Sequence, residues 1–303
     1  MTLSFDVKEH EDGWLLRDVL RARLVSASLL TQLKNTDGIR VGGAALRANE
    51  RVRTGAHIVL TLPPERDTSV TAQNIPVTIA YESAHAAVLE KPAGMAVHPT
   101  LGYHDGTLGN AWMGVLETRG EEGVFRPVNR IDRNTSGLVL CAKNTWAASV
   151  LARDVRKVYL AIVEGELPLG DAVIDAPIAR CADSIIRRCV DASGKPSRTE
   201  YTVLASSGGC SLAVCNPVTG RTHQIRVHFS HIGHPLAGDD LYGGSRELIG
   251  RHALHCAQIA FPDPETGRTV RVQSAPPPDM LSVCRRCGWD NKEFSHLQYL
   301  DKT

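Results

Sequence analysis

Between residues 13 and 34 the chain runs GWLLRDVLRARLVSASLLTQLK, with apolar side chains at Leu16, Val19 and Leu20 and again at Leu29, Leu30 and Leu33. That spacing puts them on one helical face. The VSAS stretch interrupts the pattern, and Ser26 or Ser28 can cap a second helix, so two short helices are predicted. Downstream, Ile39 and Val41, then Val52, then Ile58, Val59 and Leu60 predict short strands separated by glycine turns. A small unit of two helices and a sheet therefore closes near Leu62 and is assigned to residues 1–65. The segment PPERDTSVTAQNIP is polar and bounded by prolines, and a linker is drawn over residues 66–76.

From residue 77 onward alternating stretches dominate: VTIAYES, HAAVLEK, KVYLAIVEGEL, EYTVLAS, CSLAVCN, QIRVHF and ALHCAQIAF. Helical patterns are fewer, one near residues 107–118 behind the candidate cap Thr107 and one near 144–155. The fold class predicted for residues 77–290 is α+β, built on a large mixed or antiparallel sheet. Residues 291–303 are polar and form a tail. Within this region Arg221 to Val227 is taken as a strand. Arg221, His223, Ile225 and Val227 then share one face, and Thr222, Gln224, Arg226 and His228 the other. On that reading Arg221 sits on an apolar, inward face and needs a buried acid partner. His223 and His228 point apart, and His231 and His234 fall in a turn, so the histidines do not converge on a metal.

Composition sets bounds on the partners. No apolar run approaches the roughly 18 residues that span a bilayer, and the N-terminus carries acids where a signal peptide needs an apolar core. A cytoplasmic protein without a membrane partner is expected. Eight cysteines show no framework spacing and are expected to be reduced. Cys284 and Cys287 form a CRRC pair, but the clearest further candidates, His255 and Cys256, lie far upstream, and no metal is assigned. The net charge is only +1, yet 26 of the 34 basic residues are arginine. Residues 13–62 carry eight basic side chains against three acids, an electropositive face of the kind that attracts nucleic acid. Arg17, Arg21, Arg23, Lys34, Arg51 and Arg53 are its candidate RNA contacts.

The chemistry-bearing stretch is RPVNRIDRNTSGLVLCAKN, residues 126–144. Asp132 stands between Arg130 and Arg133, ahead of a turn and an apolar strand. Guanidinium neighbours favour the ionised carboxylate, which suits a nucleophile or a base and not a general acid. The turn into LVLCA holds the acid on a rigid edge. Tyr159, in KVYLAIVEGEL, shares a strand face with Ala161 and Val163, so its ring either fills the core or lines a pocket where a base can stack.

Taken together these motifs resemble the RluA-type family of RNA pseudouridine synthases. KPAGMAVHP at 91–99, NRIDRNTSGLVLCAKN, KVYLAIVEG, GRTHQIRVHFSHIGHPLAGDDLYG and RHALHCAQIAF follow the family's order from about residue 77 to 275. The N-terminal unit more weakly resembles the S-four (αL) RNA-binding domain often joined to such enzymes. The resemblance implies an isomerase that converts uridine to pseudouridine in structured RNA, ribosomal RNA ahead of transfer RNA. It implies neither a cofactor nor an obligatory protein partner, and a monomer is the default. Asp132 becomes the catalytic carboxylate and Arg221 the ion-pair partner that fixes it. Tyr159 becomes the ring stacked on the flipped uracil and a base for its carbon 5. Arg130, with Arg133 beside it, helps displace the target base. One departure is Asn129, where the family usually has histidine. The alternative is a catalytically silent RNA-binding protein on the same scaffold, which would be expected to have lost Asp132, Tyr159 or Arg221.

Overall fold

The computed structural model describes residues 1–65, 69–100 and 103–289; the 291–303 tail and part of the 66–76 linker lie outside them. At the N-terminus, strand β1 (Thr2–Asp6) precedes helices α1 (Leu16–Ala22) and α2 (Ala27–Asn35), followed by β2 (Ile39–Val41), β3 (Ala44–Ala45) and β4 (His57–Thr61). Ser26 caps α2 by accepting the Leu29 amide hydrogen, as the VSAS break predicts. The strands form one antiparallel sheet in the order β1-β4-β2-β3. The helices bury Leu16, Val19, Leu20, Leu29 and Leu33 against it. Strand β1 has no counterpart in the sequence reading.

A second body follows in chain order: β5 (Thr78–Glu82), β6 (Ala86–Lys91), α3 (Leu108–Arg119), β7 (Ser136–Ala142), α4 (Thr145–Leu151), β8 (Arg156–Glu164), β9 (Gly170–Asp175), β10 (Ile178–Arg180), β11 (Arg188–Val190), β12 (Arg198–Ser207), β13 (Cys210–Pro217), α5 (Gln224–His231), β14 (Leu254–Pro262), β15 (Thr269–Gln273) and α6 (Pro278–Arg286). Nine of these strands make one mixed sheet, β5-β6-β7-β14-β8-β13-β12-β9, with β15 on β14; β10 and β11 form a separate hairpin. Thr107 caps α3, in agreement with the sequence. The fold is α+β, as expected. Among the described residues no helix is long and apolar enough to cross a membrane.

The two bodies share a wall. Trp146 on α4 packs in the core of the N-terminal unit, with its ring 5.8 Å from that of Phe5. Its indole N–H donates to the Arg23 carbonyl at 2.8 Å. The described end of the linker is not slack either. Gln73 donates its main-chain N–H to Asn110 on α3, and Asn110 reaches back to the Thr71 carbonyl.

Strands β7 and β14 are the parallel pair at the sheet centre, and glycine makes their approach possible. Gly137 adopts φ +109°, and a Cβ there would lie 2.3 Å from the Cys256 carbonyl oxygen. The loop that carries Asp132 feeds directly into β7.

The segment 221–227 departs from the sequence reading. It is not a strand: His223 takes a left-handed conformation (φ 59°) and starts α5. Ile225 and Phe229 are buried one helical turn apart, and that hydrophobic spacing outweighs the alternation. The parity argument therefore fails, and with it the inward placement of Arg221.

Candidate active site

A cleft of about 540 Å³ opens between the loop before β7, strand β8 and the start of α5, and its lining includes Arg130, Asp132, Arg133, Tyr159, Arg221, His223 and Arg226. Asp132 sits in the loop before β7. Its carbonyl accepts the Thr135 amide hydrogen in a tight turn (3.0 Å). Lys91, at the end of β6 and 1 % exposed, supports the same loop from below by donating to the carbonyls of Pro92, Met95 and Arg133. Burial, reinforced by Arg251, pushes the Lys91 ammonium down to about 7.

The guanidinium that meets Asp132 belongs to Arg226 and not to Arg221. Arg226 Nη1 donates to Asp132 Oδ2 at 3.0 Å, while Nε and Nη2 grip both oxygens of Asp239 at 2.7 and 2.8 Å. Arg226 and Asp239 are almost wholly buried, with side-chain exposures of 6 % and 1 %, whereas Asp132 retains 26 %. Burial lowers the arginine's proton affinity, but the two carboxylates outweigh it and keep Arg226 firmly charged. Arg221 lines the cleft with its guanidinium turned to the Pro196 carbonyl (3.2 Å) and exposed. The helix explains the exchange: once α5 starts at Gln224, the side chain of Arg226 points under the acid. The sequence contained a signal for this, because Ile225, Phe229 and Ile232 fit helical spacing as well as a strand.

Tyr159, on β8, is buried at the cleft floor, where its phenol meets the Cys256 thiol. Burial raises the phenol well above its usual range. Its ring lines the cleft. Arg130 is exposed at the cleft rim and pairs with no acid among the described residues. Arg133 is tied down, donating to the Gly94 carbonyl and the Tyr103 hydroxyl and stacking 4.4 Å over the Tyr103 ring. Asn129 accepts the Leu140 amide hydrogen and donates to the Leu138 carbonyl, so the amide pins β7.

The electropositive N-terminal face separates into two groups. Arg17, Arg21 and Lys34 are exposed, with Asp18 the nearest acid to the two arginines at 3.9 and 3.7 Å. Arg51 and Arg53 are also exposed, the first on the Gly13 carbonyl and the second 3.4 Å from Asp12. Arg23 is different: it forms a two-pronged pair with Glu11, which is 1 % exposed. Its guanidinium is committed to this pair, which the charge count could not anticipate because Glu11 lies outside the counted segment.

Cys284 and Cys287 are buried, and Cys287 lies against Cys210. Among the described residues no group of three or more histidine, cysteine or acidic side chains is arranged to hold a metal.

Residues 85–231 match the family model described as RNA pseudouridylate synthase. The uncharacterized RNA pseudouridine synthase YjbO of Bacillus subtilis is 34 % identical over 268 residues, covering 86 % of this chain and 95 % of that protein. Ribosomal large subunit pseudouridine synthase D of Pseudomonas aeruginosa is 36 % identical over 275 residues, covering 84 % and 86 %. Among solved structures, human RNA pseudouridylate synthase domain containing 1 superposes with a TM-score of 0.60 at 27 % identity, covering 75 % of this chain and 96 % of that one.

Proposed function

Because the chain belongs to the RNA pseudouridine synthase family and is an isomerase that converts uridine to pseudouridine in RNA, we propose that Asp132 is its catalytic carboxylate and that its substrate is structured ribosomal RNA. The observation that carries this reading is the Asp132–Arg226–Asp239 chain at the edge of the cleft. An acid fixed by a buried, permanently charged guanidinium, yet still a quarter exposed, is ready to act on a sugar carbon. The isomerisation breaks the bond from ribose C1′ to N1, turns the uracil, and rejoins C1′ to C5. The C5 proton leaves and N1 gains one, so no redox partner enters. The carboxylate serves either by attacking C1′ or by taking the proton from C2′; each route requires it ionised.

A stacked uridine must first leave its helix, at a cost of a few kcal/mol. Arg130, exposed at the rim, is suited to fill the vacancy and meet phosphate. Tyr159 offers the extruded base a ring to stack on. The exposed Arg17, Arg21, Lys34, Arg51 and Arg53 support an S-four-like RNA-binding role for residues 1–65. The ribosomal assignment rests on relatives named as large-subunit synthases, and the cytoplasm is the compartment that fits it.

The test is release of tritium from RNA labelled at uridine C5. Asp132→Asn is expected to abolish release while RNA binding persists. Wild-type release from that variant would refute the assignment, and release of free uracil would point to a hydrolase.

A further inference from the structure

Among the described residues, His223 is one of three other than glycine with a positive φ. Such backbone costs of the order of 1 kcal/mol or more and persists where the surroundings enforce it, often at functional sites. Here the strain turns the imidazole into the cleft beside Asp132, with Nε2 3.8 Å from Oδ2. The other ring nitrogen is held: Nδ1 lies 2.8 Å from the Tyr242 hydroxyl. Tyr242 is itself fixed, since its hydroxyl oxygen accepts the Arg188 main-chain N–H at 3.0 Å and its ring lies 4.9 Å from the Arg226 guanidinium carbon.

We propose that His223 is a second positioning residue for Asp132, and that Oδ1 is the oxygen of Asp132 that faces the sugar. The inference rests on the catalytic reading of Asp132 given above. The tyrosine has one proton to place. Its oxygen already accepts from Arg188, and the one acceptor it meets among the described residues is His223 Nδ1. Donation there leaves the imidazole proton on Nε2, facing the carboxylate. Arg226 Nη1 and His223 Nε2 therefore converge on the same oxygen, Oδ2. No group among the described residues donates to Oδ1. One hydrogen bond from Arg226 and the imidazole edge that faces the same oxygen from 3.8 Å favour one rotation of the carboxylate and present the other oxygen to the substrate.

The charged and titratable groups around the ring come from several elements. Asp132 lies on the loop before β7, Arg226 on α5, Asp239 on the turn after it and Arg188 on β11, with His252 beyond them ahead of β14. Burial holds the imidazole below its usual range and so neutral, which suits a donor that carries one proton. Burial also keeps the proton on Tyr242.

Nitrogen-15 spectra of the full-length protein, labelled at histidine, test the tautomer. A proton on Nε2 of His223 is expected, shifting toward a mixture of tautomers in Tyr242→Phe. A proton on Nδ1 in the wild type overturns the proposal. In turnover, His223→Leu is expected to lower kcat roughly three- to tenfold, the scale of an orienting polar contact at 3.8 Å and not of a full hydrogen bond, with KM for RNA unchanged. His223→Gln, which returns an N–H at the reach of Nε2, is expected to recover most of that loss. Equal losses in both variants, or a change confined to KM, would also overturn it. If Asp132→Asn retains wild-type release, the catalytic reading has failed and this proposal falls with it, whereas loss of release in Asp132→Asn together with unchanged turnover in His223→Leu overturns this proposal alone.

Discussion

Replacing Arg226 by methionine keeps most of the side-chain volume and removes three charge-assisted hydrogen bonds, two to Asp239 and one to Asp132. The two acids respond differently because their exposures differ. Asp239, at 1 %, becomes a buried carboxylate without its cation. Breaking such a pair typically costs about 3–5 kcal/mol. Asp132, at 26 %, still reaches solvent, so removing its partner changes stability little and registers in turnover. A second substitution separates the two effects. Asp239→Asn on top of Arg226→Met removes the stranded charge, and part of the stability is expected to return. Turnover is not expected to return, because Asp132 still lacks the Arg226 guanidinium. Denaturant unfolding followed by tryptophan fluorescence measures the first effect, and tritium release from labelled RNA the second. An Arg226→Met protein within about 1 kcal/mol of wild type, or a double variant less stable than the single one, would refute the reasoning.

Two further predictions rest on charge. Lys91 holds its proton with an affinity near pH 7 when folded and near pH 10.4 when unfolded, so between these values the unfolded chain binds more protons and stability rises with pH. The stability of wild type relative to Lys91→Met is thus expected to climb by at most about 1.4 kcal/mol per pH unit above pH 7, and urea titrations at pH 7 and 9 check it; a constant difference would remove the lysine from that role. Reversing Arg17 and Lys34 together to glutamate is expected to weaken binding to long structured RNA and to flatten its salt dependence, by roughly one in the log–log slope for each phosphate no longer neutralised. Filter binding across a salt series would show this, and unchanged slopes would clear the N-terminal face of RNA contact.

Much of the scaffold was legible in the chain. The two N-terminal helices, the caps at Ser26 and Thr107, and the strands beginning near 78, 86, 157, 200, 210 and 254 follow from spacing and capping chemistry that act locally. Asp132, Tyr159 and Arg130 were found because their motifs are contiguous, and they line one cleft. The choice between Arg221 and Arg226 was misread, because the helical spacing of Ile225, Phe229 and Ile232 competed with the alternation and the backbone angle at His223 decides between them. Alternating parity assigned the inward guanidinium to the wrong residue once that strained turn converted strand to helix. Arg23 shows the complementary limit: its net charge suggested an RNA contact, but its partner Glu11 is brought to it by tertiary packing. The hairpin of β10 and β11, which supplies the Arg188 N–H to Tyr242, carries no strong hydrophobic period and gave no signal of its own.

Trp146 has a consequence for how this molecule comes apart. By sequence it belongs to the large sheet body, but its indole completes the core of the small one and meets both Phe5 and His85. Separating the two bodies would leave an indole-sized hole in one and a greasy, unsatisfied N–H on the other. Heating should therefore melt them together as one calorimetric event, and a protease should find no early cut that frees the first sixty residues intact.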